Sequence, residues 1–333
     1  MNKIISIIIP TYNMENYLYR CLDSLLIKDE ALFDKIEVLV INDGSKDSSS
    51  EIAHEYQKNY ADVFKVIDKE NGNYGSCVNK GIELATGKYL RILDADDWFD
   101  TVELKRYIKK LQDVNSDVVI TNYTRHYGKN RKKYISLKNI EYDKELLIDC
   151  YDFSRRTYKE LLLMHALTFK TDLLRSIGFK QQTGISYTDI EYCYFPFSRA
   201  KTMVFFDVNL YQYCIGREGQ TMQRNSIVRN IDHFYMVAKR LLIDYLENVE
   251  SNRQRYIPLV YIISNPIYFI YLSNLYYQKK PSIHDKEVLD DITMIIHQDA
   301  FFENYVNNYT FKKIPFVKLW KHYGFRIGVI TGK

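Results

Sequence analysis

One stretch decides the fold of this chain: Tyr89-Leu90-Arg91-Ile92-Leu93-Asp94-Ala95-Asp96-Asp97, in which an apolar run passes directly into three acids. The run predicts a buried strand, and its carboxyl end is where open α/β sheets hold ligands. Asp94 and Asp96 repel each other unless a cation lies beside them. A divalent metal carrying a nucleotide diphosphate would supply that cation. The alternative is a solvated turn, in which aspartate is common.

Strand and helix patterns alternate before these acids. Apolar, β-branched runs predict strands over 4–9, 37–41, 64–68 and 89–93. Helical spacing lies between them, over about 15–26, 48–60 and 76–85. The alternation predicts an α/β fold with a mostly parallel sheet and crossover helices. Thr11, Asp43 and Asp94 would then lie at one edge of that sheet.

Five short motifs follow one another in this region. They are Ser6–Asn13, Val40–Ser45, Asn71-Gly72 with Asn79–Gly81, Ala85–Gly87 and Leu93–Trp98. In order and spacing they resemble the family 2 glycosyltransferases, and the resemblance continues less tightly to about residue 225. It implies a GT-A fold, which is a Rossmann-like sheet flanked by helices. It also implies inverting, metal-dependent transfer of one sugar from a nucleotide-diphospho-sugar, by default a UDP-sugar, to a hydroxyl of a glycan acceptor.

The resemblance also assigns residues to the nucleotide sugar. Asp43 would accept a hydrogen bond from the uracil ring, and Asp94 would face the ribose. The ring of Tyr12 would pack on the base, beside Pro10 and the backbone of Thr11. From the residues alone, Asp43 also fits an ordinary Asx turn and Tyr12 an exposed aromatic. The other residues expected at the donor are Asn71 and Ala95, together with Asn13, Gly72 and Lys80.

Asp96 is the expected ligand of a divalent metal, manganese or magnesium. These ions prefer oxygen ligands and keep several waters beside one or two carboxylates and the substrate phosphates, so one protein carboxylate is enough. Asp97 either caps the following turn or supports the metal ligand from behind.

An inverting transferase needs a base that deprotonates the acceptor hydroxyl. The family carries a Glu-Asp pair at a helix start, and Thr188-Asp189 fits this position with threonine in place of the glutamate. Asp189 is therefore the expected base, although the helix dipole would make it a weak one unless burial raises its pKa. Thr188 and Glu191 also match a capping box, which favours a structural role for Glu191.

Arg217 and His165 are two further candidates. Arg217 lies where family members often carry an Arg-x-x-Gly-Ser segment, so it would pair with phosphate oxygens of the leaving nucleotide. The alternative is a surface arginine in a turn. His165 follows the apolar stretch 161–164, where a packed histidine is the default and acceptor contact the alternative.

Composition excludes several other classes. The chain has 333 residues, of which 46% are hydrophobic and 26% charged, so it should be globular, and its net charge of +4 is too small to predict nucleic-acid binding. Five scattered cysteines without a C-x-x-C pair, and an amino terminus without a signal pattern, favour a cytoplasmic protein. The first strand is followed by neither a glycine-rich phosphate loop nor G-x-G-x-x-G, which argues against pyrophosphorylases and dinucleotide oxidoreductases. A non-catalytic nucleotide-sugar-binding module remains the alternative.

The sequence predicts a catalytic domain over 1–224, with a nucleotide-sugar half over about 1–122 and an acceptor half over about 123–224. Residues 225–333 form a predicted helical region. Its apolar stretch 256–277 is long enough to span a membrane, but Ser-Asn-Pro interrupts it. A packed helical hairpin or a homodimer contact is the favoured alternative.

No acid follows Glu303, and the remaining lysines and arginines, including Arg326 and Lys333, interleave with aromatic residues. This basic, amphipathic pattern suits the surface of an anionic membrane, while a solvated face packed on the core is the alternative. Peripheral contact at the inner face of the cell membrane would fit a lipid-linked glycan acceptor in cell-surface polysaccharide synthesis.

Overall fold

The computed structural model describes residues 3–128, 130–136, 140–153, 159–217, 220 and 222–323. The chain divides into two compact units, Met1–Arg217 and Glu218–Lys333. The candidate catalytic, donor-binding and metal-binding residues named above all lie in the first unit.

The first unit is built on one ten-stranded sheet. Its strands are β1 (Ile5–Thr11), β2 (Ile36–Asn42), β3 (Phe64–Asp68), β4 (Tyr89–Ile92), β5 (Trp98–Phe99), β6 (Val118–Tyr127), β7 (Arg131–Ile135), β8 (Glu145–Leu147), β9 (Leu167–Lys170) and β10 (Thr202–Ile215). Their order is β3-β2-β1-β4-β9-β6-β10-β5, with β7 paired to β6 and β8 to β10.

The four amino-terminal strands are parallel, as predicted. Thr11 pairs with Asn42, and Asn42 with Asp68, so β1, β2 and β3 end at one edge of the sheet. β4 is also parallel to β1. β9, in contrast, runs antiparallel to both β4 and β6, so the complete sheet is mixed rather than mostly parallel. The parallel part is the one that brings strand ends together at the site.

Seven helices are described in the first unit. They are α1 (Glu15–Asp23), α2 (Glu30–Phe33), α3 (Ser49–Asn59), α4 (Asn73–Leu84), α5 (Thr101–Gln112), α6 (Thr171–Ser176) and α7 (Asp189–Arg199). α4 lies directly against β1 because it carries Gly81, where a Cβ would come within 2.4 Å of the Ile8 side chain. This close packing fixes the start of α4, and the loop before it, relative to the sheet.

The described part of the second unit is helical, as predicted. Its helices are α8 (Arg224–Arg229), α9 (Ile231–Asn248), α10 (Arg253–Leu272), α11 (Ile283–Ile296), α12 (Ala300–Asn307) and α13 (Phe316–Tyr323). The basic tail residues Arg326 and Lys333 lie outside the described residues.

The segment Arg253–Tyr277 has the length and composition of a membrane span, but 72% of its most apolar window is buried within the protein. α9 and α10 pack through aromatic pairs, such as Phe234 with Phe269 at 5.2 Å and Tyr245 with Tyr256 at 5.9 Å. Such burial is typical of a core helix, so this segment is weak evidence for a membrane span.

Candidate functional site

The three acids predicted at the end of β4 lie in a tight turn. The amide of Leu93 still donates to the carbonyl of Ile8, which holds the chain against β1 beyond the last residue of β4. The amide of Asp97 then donates to the carbonyl of Asp94 at 2.9 Å and closes the turn. The side chains of Asp94, Asp96 and Asp97 are thereby held at the carboxyl end of β4, as the sequence predicts.

Asp97 connects this turn to β10. Its Oδ1 accepts the amide of Cys214 and its Oδ2 the hydroxyl of Tyr211, both at 2.7 Å. Burial, together with the charges of Asp96 and Asp94, raises its pKa well above the ordinary value. Asp97 does not cap the following helix; that is done by Asp100, whose carboxylate accepts two amides of α5. The turn-cap interpretation of Asp97 is therefore wrong.

Asp94 accepts the hydroxyl of Tyr74 at 2.9 Å. Burial raises the pKa of Asp94 to about 7, and the charges of Asp96 and Asp189 add to the rise. Ligand atoms of Asp94, Asp97 and His165 all lie within 4.8 Å of one another. Tyr74, the second residue of α4, was not predicted from the sequence. No pattern distinguishes it from the other tyrosines in a chain that has 30 of them.

Asp96 lies between two arginines. The Nε of Arg217 donates to its Oδ2, and Nη2 of Arg20 donates to its backbone carbonyl at 2.7 Å. The Arg217 guanidinium also lies 5.3 Å from the ring centroid of Tyr17, while that of Arg20 lies 4.0 Å from the Trp98 ring. Arg217 is therefore not a free surface arginine; it is paired with the acid expected to bind metal.

The residues around this turn fit a divalent cation. Carboxylate oxygens are the ligands that magnesium and manganese prefer, and the buried Nδ1 of His165 has no hydrogen-bond partner among the described residues. Both oxygens of Asp97 are held by an amide and a hydroxyl, whereas the carboxylate of Asp96 is held by the side chain of Arg217. Asp96, with Asp94 beside it, is consequently better placed than Asp97 to exchange its partner for a metal.

Asp189 is the first residue of α7. Burial raises the pKa of Asp189 to about 6. Its charge in turn raises the pKa of Asp94 and of Tyr74, so the three side chains lie close enough to interact. The helix dipole would favour the charged form of Asp189, but burial prevails and gives this carboxyl the pKa of a usable base.

The capping box predicted at Thr188 and Glu191 is wrong. Thr188 has the backbone angles φ −76° and ψ −8° rather than the extended conformation of a capping residue, and its side chain caps nothing. Its hydroxyl instead donates to Gln181 at 3.0 Å. Glu191 is fully buried and accepts both the backbone amide and the side-chain amide of Gln182, at 2.8 and 2.7 Å. Both side chains therefore hold the loop before α7.

Glu191→Gln is expected to lower the free energy of unfolding by about 1–3 kcal/mol, because a neutral amide cannot accept both donors of Gln182 in the same way. Urea denaturation measures the change. Glu83→Gln is the matched control, since Glu83 is exposed and pairs with Lys80 on the helix surface; a change within about 0.5 kcal/mol is expected there. Equal effects of the two variants would contradict the structural role of Glu191.

Asp43 lies where β2 ends and is fixed from several sides. Its amide donates to the carbonyl of Thr11 at 2.8 Å. Its Oδ1 accepts the ammonium of Lys69 at 2.5 Å and the amide of Gly72 at 3.0 Å, while the side-chain amide of Asn71 donates to its carbonyl. Lys69 was missed from sequence, although it directly follows β3 and so lies at the same edge of the sheet.

The remaining predicted residues differ in placement. Tyr12 exposes 45% of its surface, so its ring is available to a ligand. Pro10 is half-buried and Ala95 is buried. Asn13 has φ +53° and clamps the neighbouring loop, because its side-chain oxygen accepts the amide of Lys46 at 2.8 Å.

Lys80 and His165 differ in placement, because His165 lies close to the acid turn, within 4.8 Å of Asp94 and Asp97 by their ligand atoms. Lys80 pairs with Glu83 at 2.8 Å on the surface of α4, so the structure does not bring it to the acids. His165 is packed, with its ring stacked 4.0 Å from that of Tyr213. Burial lowers the pKa of His165 to about 3, so the imidazole is neutral.

A family model, Glycosyl transferase family 2, matches residues 6–171, which include both the β2 loop and the acid turn. The chain belongs to glycosyl transferase family 2. EpsH of Bacillus subtilis is 38% identical over 123 residues, which are 37% of this chain and 34% of EpsH. The chain thus matches about a third of the length of that relative.

Solved structures show the fold of this family 2 chain. Staphylococcus aureus TarS 1–349 in complex with UDP-GlcNAc superposes with a TM-score of 0.65 at 19% identity, covering 88% of this chain and 81% of that one. A Pyrobaculum calidifontis mannosyltransferase, PcManGT, in complex with GDP-Man and Mn²⁺, gives a TM-score of 0.51 at 14% identity, covering 92% and 83%. The GT-A fold with a helical carboxyl-terminal region, expected from the sequence, is confirmed.

Proposed function

We propose that this family 2 protein is an inverting, metal-dependent glycosyltransferase that moves one sugar from a nucleotide-diphospho-sugar to a hydroxyl of a glycan acceptor in cell-surface polysaccharide synthesis. One observation carries the proposal. Asp94, two residues before the proposed metal ligand Asp96, interacts with Asp189, whose pKa is raised to about 6 by burial. Donor-binding and base functions are thereby supported at one site.

A UDP-sugar is the proposed donor. The carboxylate of Asp43 offers a fixed acceptor, and a uracil ring presents an N–H that would donate to it. The exposed ring of Tyr12 would pack on the base. The UDP-GlcNAc complex of TarS supports this choice, while the GDP-Man complex of PcManGT makes a guanine nucleotide the competitor to be tested.

The proposed reaction is a direct displacement. Asp189 removes the proton of the acceptor hydroxyl as its oxygen attacks the anomeric carbon from the face opposite the diphosphate. Asp96 would hold a manganese or magnesium ion, which when bound offsets negative charge on the diphosphate, and Asp94 would face the ribose of the nucleotide. Arg217 would pair with phosphate oxygens as charge develops on the leaving nucleotide. No covalent intermediate with the protein is required.

The proposed location is the cytoplasm, at the inner face of the cell membrane, with a lipid-linked glycan as acceptor. Support comes from Lys312 and Lys313, which are exposed just before the amphipathic helix α13, and from Lys318, which is exposed within it. Lys321 instead pairs with Glu303 at 2.9 Å. Flotation with anionic liposomes tests this contact: binding should be lost when the chain is truncated after Glu303, and unchanged flotation would contradict it.

Thermal-shift screening of nucleotide sugars with manganese tests the donor assignment. A ligand at about 100 times its Kd should stabilise the folded protein by about 2.7 kcal/mol. UDP-sugars are expected to stabilise the protein more than GDP-sugars at the same concentration. Metal-dependent hydrolysis of the stabilising donor then separates an enzyme from the alternative, a non-catalytic binding module. The threonine at position 188, in place of the family's glutamate, is the observation that favours that alternative. Binding without any turnover would establish it.

Lys69→Met is expected to weaken UDP binding about tenfold or more, because the buried carboxylate of Asp43 loses its ion pair and its fixed orientation. Calorimetric titration with UDP measures the change. Lys80→Met is the matched control, since Lys80 pairs with Glu83 on the surface of α4, and the Kd of this variant for UDP should stay within about twofold of the original value. Equal weakening in both variants would contradict a role for Lys69.

A further inference from the structure

Arg217 and Asp96 form a largely buried ion pair in the acid turn. Their side chains are 17% and 11% exposed, and Nε of the guanidinium donates to Oδ2 of the carboxylate. The guanidinium carbon also lies 5.3 Å from the centroid of the Tyr17 ring. Arg217 therefore occupies the place beside Asp96 that a metal ion would take.

The Arg217 guanidinium pairs with one of the three acids in this turn. Asp94, Asp96 and Asp97 lie within four consecutive residues, and among the described ion pairs Arg217 is the partner of Asp96. Arg20, the other nearby cation, donates to the backbone carbonyl of Asp96 rather than to a carboxylate. A divalent ion is smaller and carries twice the charge of a guanidinium, so it would compete effectively for Asp96.

A change of partner by Arg217 would involve rotation of its side chain. It follows β10 and Gly216, which has φ +93° and, among the described residues, no atom within 4 Å of where a Cβ would lie. A diphosphate bound to a metal at Asp96 would lie next to the displaced guanidinium. Phosphate oxygens would then replace the carboxylate with the bidentate geometry that arginine favours.

We propose that Arg217 is an exchangeable occupant of the cation site, neutralising Asp96 until a metal–nucleotide complex binds and then pairing with the diphosphate. This inference rests on the proposed function, in which Asp96 binds the metal. It adds an order of binding: the protein discriminates against metal alone and accepts metal together with nucleotide. Arg217 thus weakens the binding of metal alone and strengthens the binding of metal together with nucleotide.

The opposed effects give the test. Mn²⁺ binding to the full chain without nucleotide is followed by the electron paramagnetic resonance signal of free Mn²⁺, and binding of UDP with Mn²⁺ by calorimetry. Arg217→Gln is expected to bind Mn²⁺ alone about tenfold more tightly and UDP with Mn²⁺ about tenfold more weakly. Arg217→Lys keeps the charge, so its affinity for Mn²⁺ alone should stay near the original. Circular dichroism establishes that each variant is folded.

Arg20→Gln is the matched control, because it removes a positive charge near Asp96 without freeing the carboxylate. Its effect on Mn²⁺ binding should be clearly smaller than that of Arg217→Gln. Unchanged or weaker binding of Mn²⁺ alone by Arg217→Gln would overturn the inference, as would equal tightening by both variants. If Asp96→Asn still abolishes Mn²⁺ binding in that case, the metal assignment stands and only the exchange fails. If Asp96→Asn has no effect, the metal assignment itself fails.

Discussion

Asp189→Asn is expected to lower kcat by about 10²- to 10⁴-fold, the usual contribution of a positioned general base. An amide of the same shape cannot take the proton of the acceptor hydroxyl. Donor binding should persist, because the nucleotide residues at β1, β2 and β4 are unchanged. Initial rates at saturating donor and acceptor measure the loss, and calorimetry with UDP measures the retained affinity. A variant that keeps more than about a tenth of the activity would place the base elsewhere.

The pH dependence follows from the same carboxyl group. Burial raises the pKa of Asp189 to about 6, and the base acts only when unprotonated. The rate should therefore rise with pH through about 6 and level off above it, and this limb should be missing from the residual rate of Asp189→Asn. A profile that is flat between pH 5 and pH 7, measured at saturating substrates, would contradict the assignment.

Stability should change in the opposite direction to activity. The folded-state pKa of Asp189 lies above the unfolded value of 3.8, so its stabilising effect is complete below about pH 4 and is lost as pH rises through about 6. At neutral pH the buried charge destabilises the fold, and Asp189→Asn should raise the free energy of unfolding by on the order of 1–3 kcal/mol. Glu191→Gln, two residues along α7, is expected to lower it.

Asp96→Asn is expected to lower kcat by about 10²- to 10³-fold, comparable to the removal of one group that stabilises transition-state charge. The substitution removes the carboxylate that would hold the metal. The initial rate is measured as a function of manganese concentration. Both the maximal rate and the dependence of the rate on manganese should be weaker than in the original protein.

Asp100→Asn is the matched control for Asp96→Asn. Asp100 is a helix cap, its carboxylate accepts the amides of Val102 and Glu103, and asparagine caps helices equally well. The kcat of Asp100→Asn and its dependence on manganese concentration should stay within about twofold of the original values. An Asp96→Asn enzyme with an unaltered manganese dependence would remove Asp96 from the metal site.

The sequence predicted those parts of the site that depend on local pattern. Apolar runs locate the parallel strands, and the carboxyl ends of parallel strands meet at one edge of a sheet. Asp43 and Asp94 were therefore found without coordinates. Contacts across the sheet were not found, because no local spacing connects Asp97 with Tyr211, or Asp43 with Lys69. These pairs depend on which strands become neighbours.

The errors have similar causes. Thr188 and Glu191 match a capping pattern, but the chain enters α7 in a helical conformation, so the threonine turns toward Gln181. The antiparallel direction of β9 follows from its pairing between β4 and β6, which the sequence pattern does not determine. The pKa of Asp189 depends on burial by residues distant in sequence, which the helix start alone does not reveal.

The hydrogen bond between Asp97 and the amide of Cys214 also sets the length of chain that connects the acid turn to Arg217. It anchors the chain three residues before Arg217. The number of residues between Cys214 and Arg217 therefore determines where the guanidinium lies relative to the acids. One inserted residue between Cys214 and Arg217 would misplace the arginine while every acid stayed in position. Homologues with identical acids but a longer or shorter connection here should accordingly differ in how strictly they require a metal.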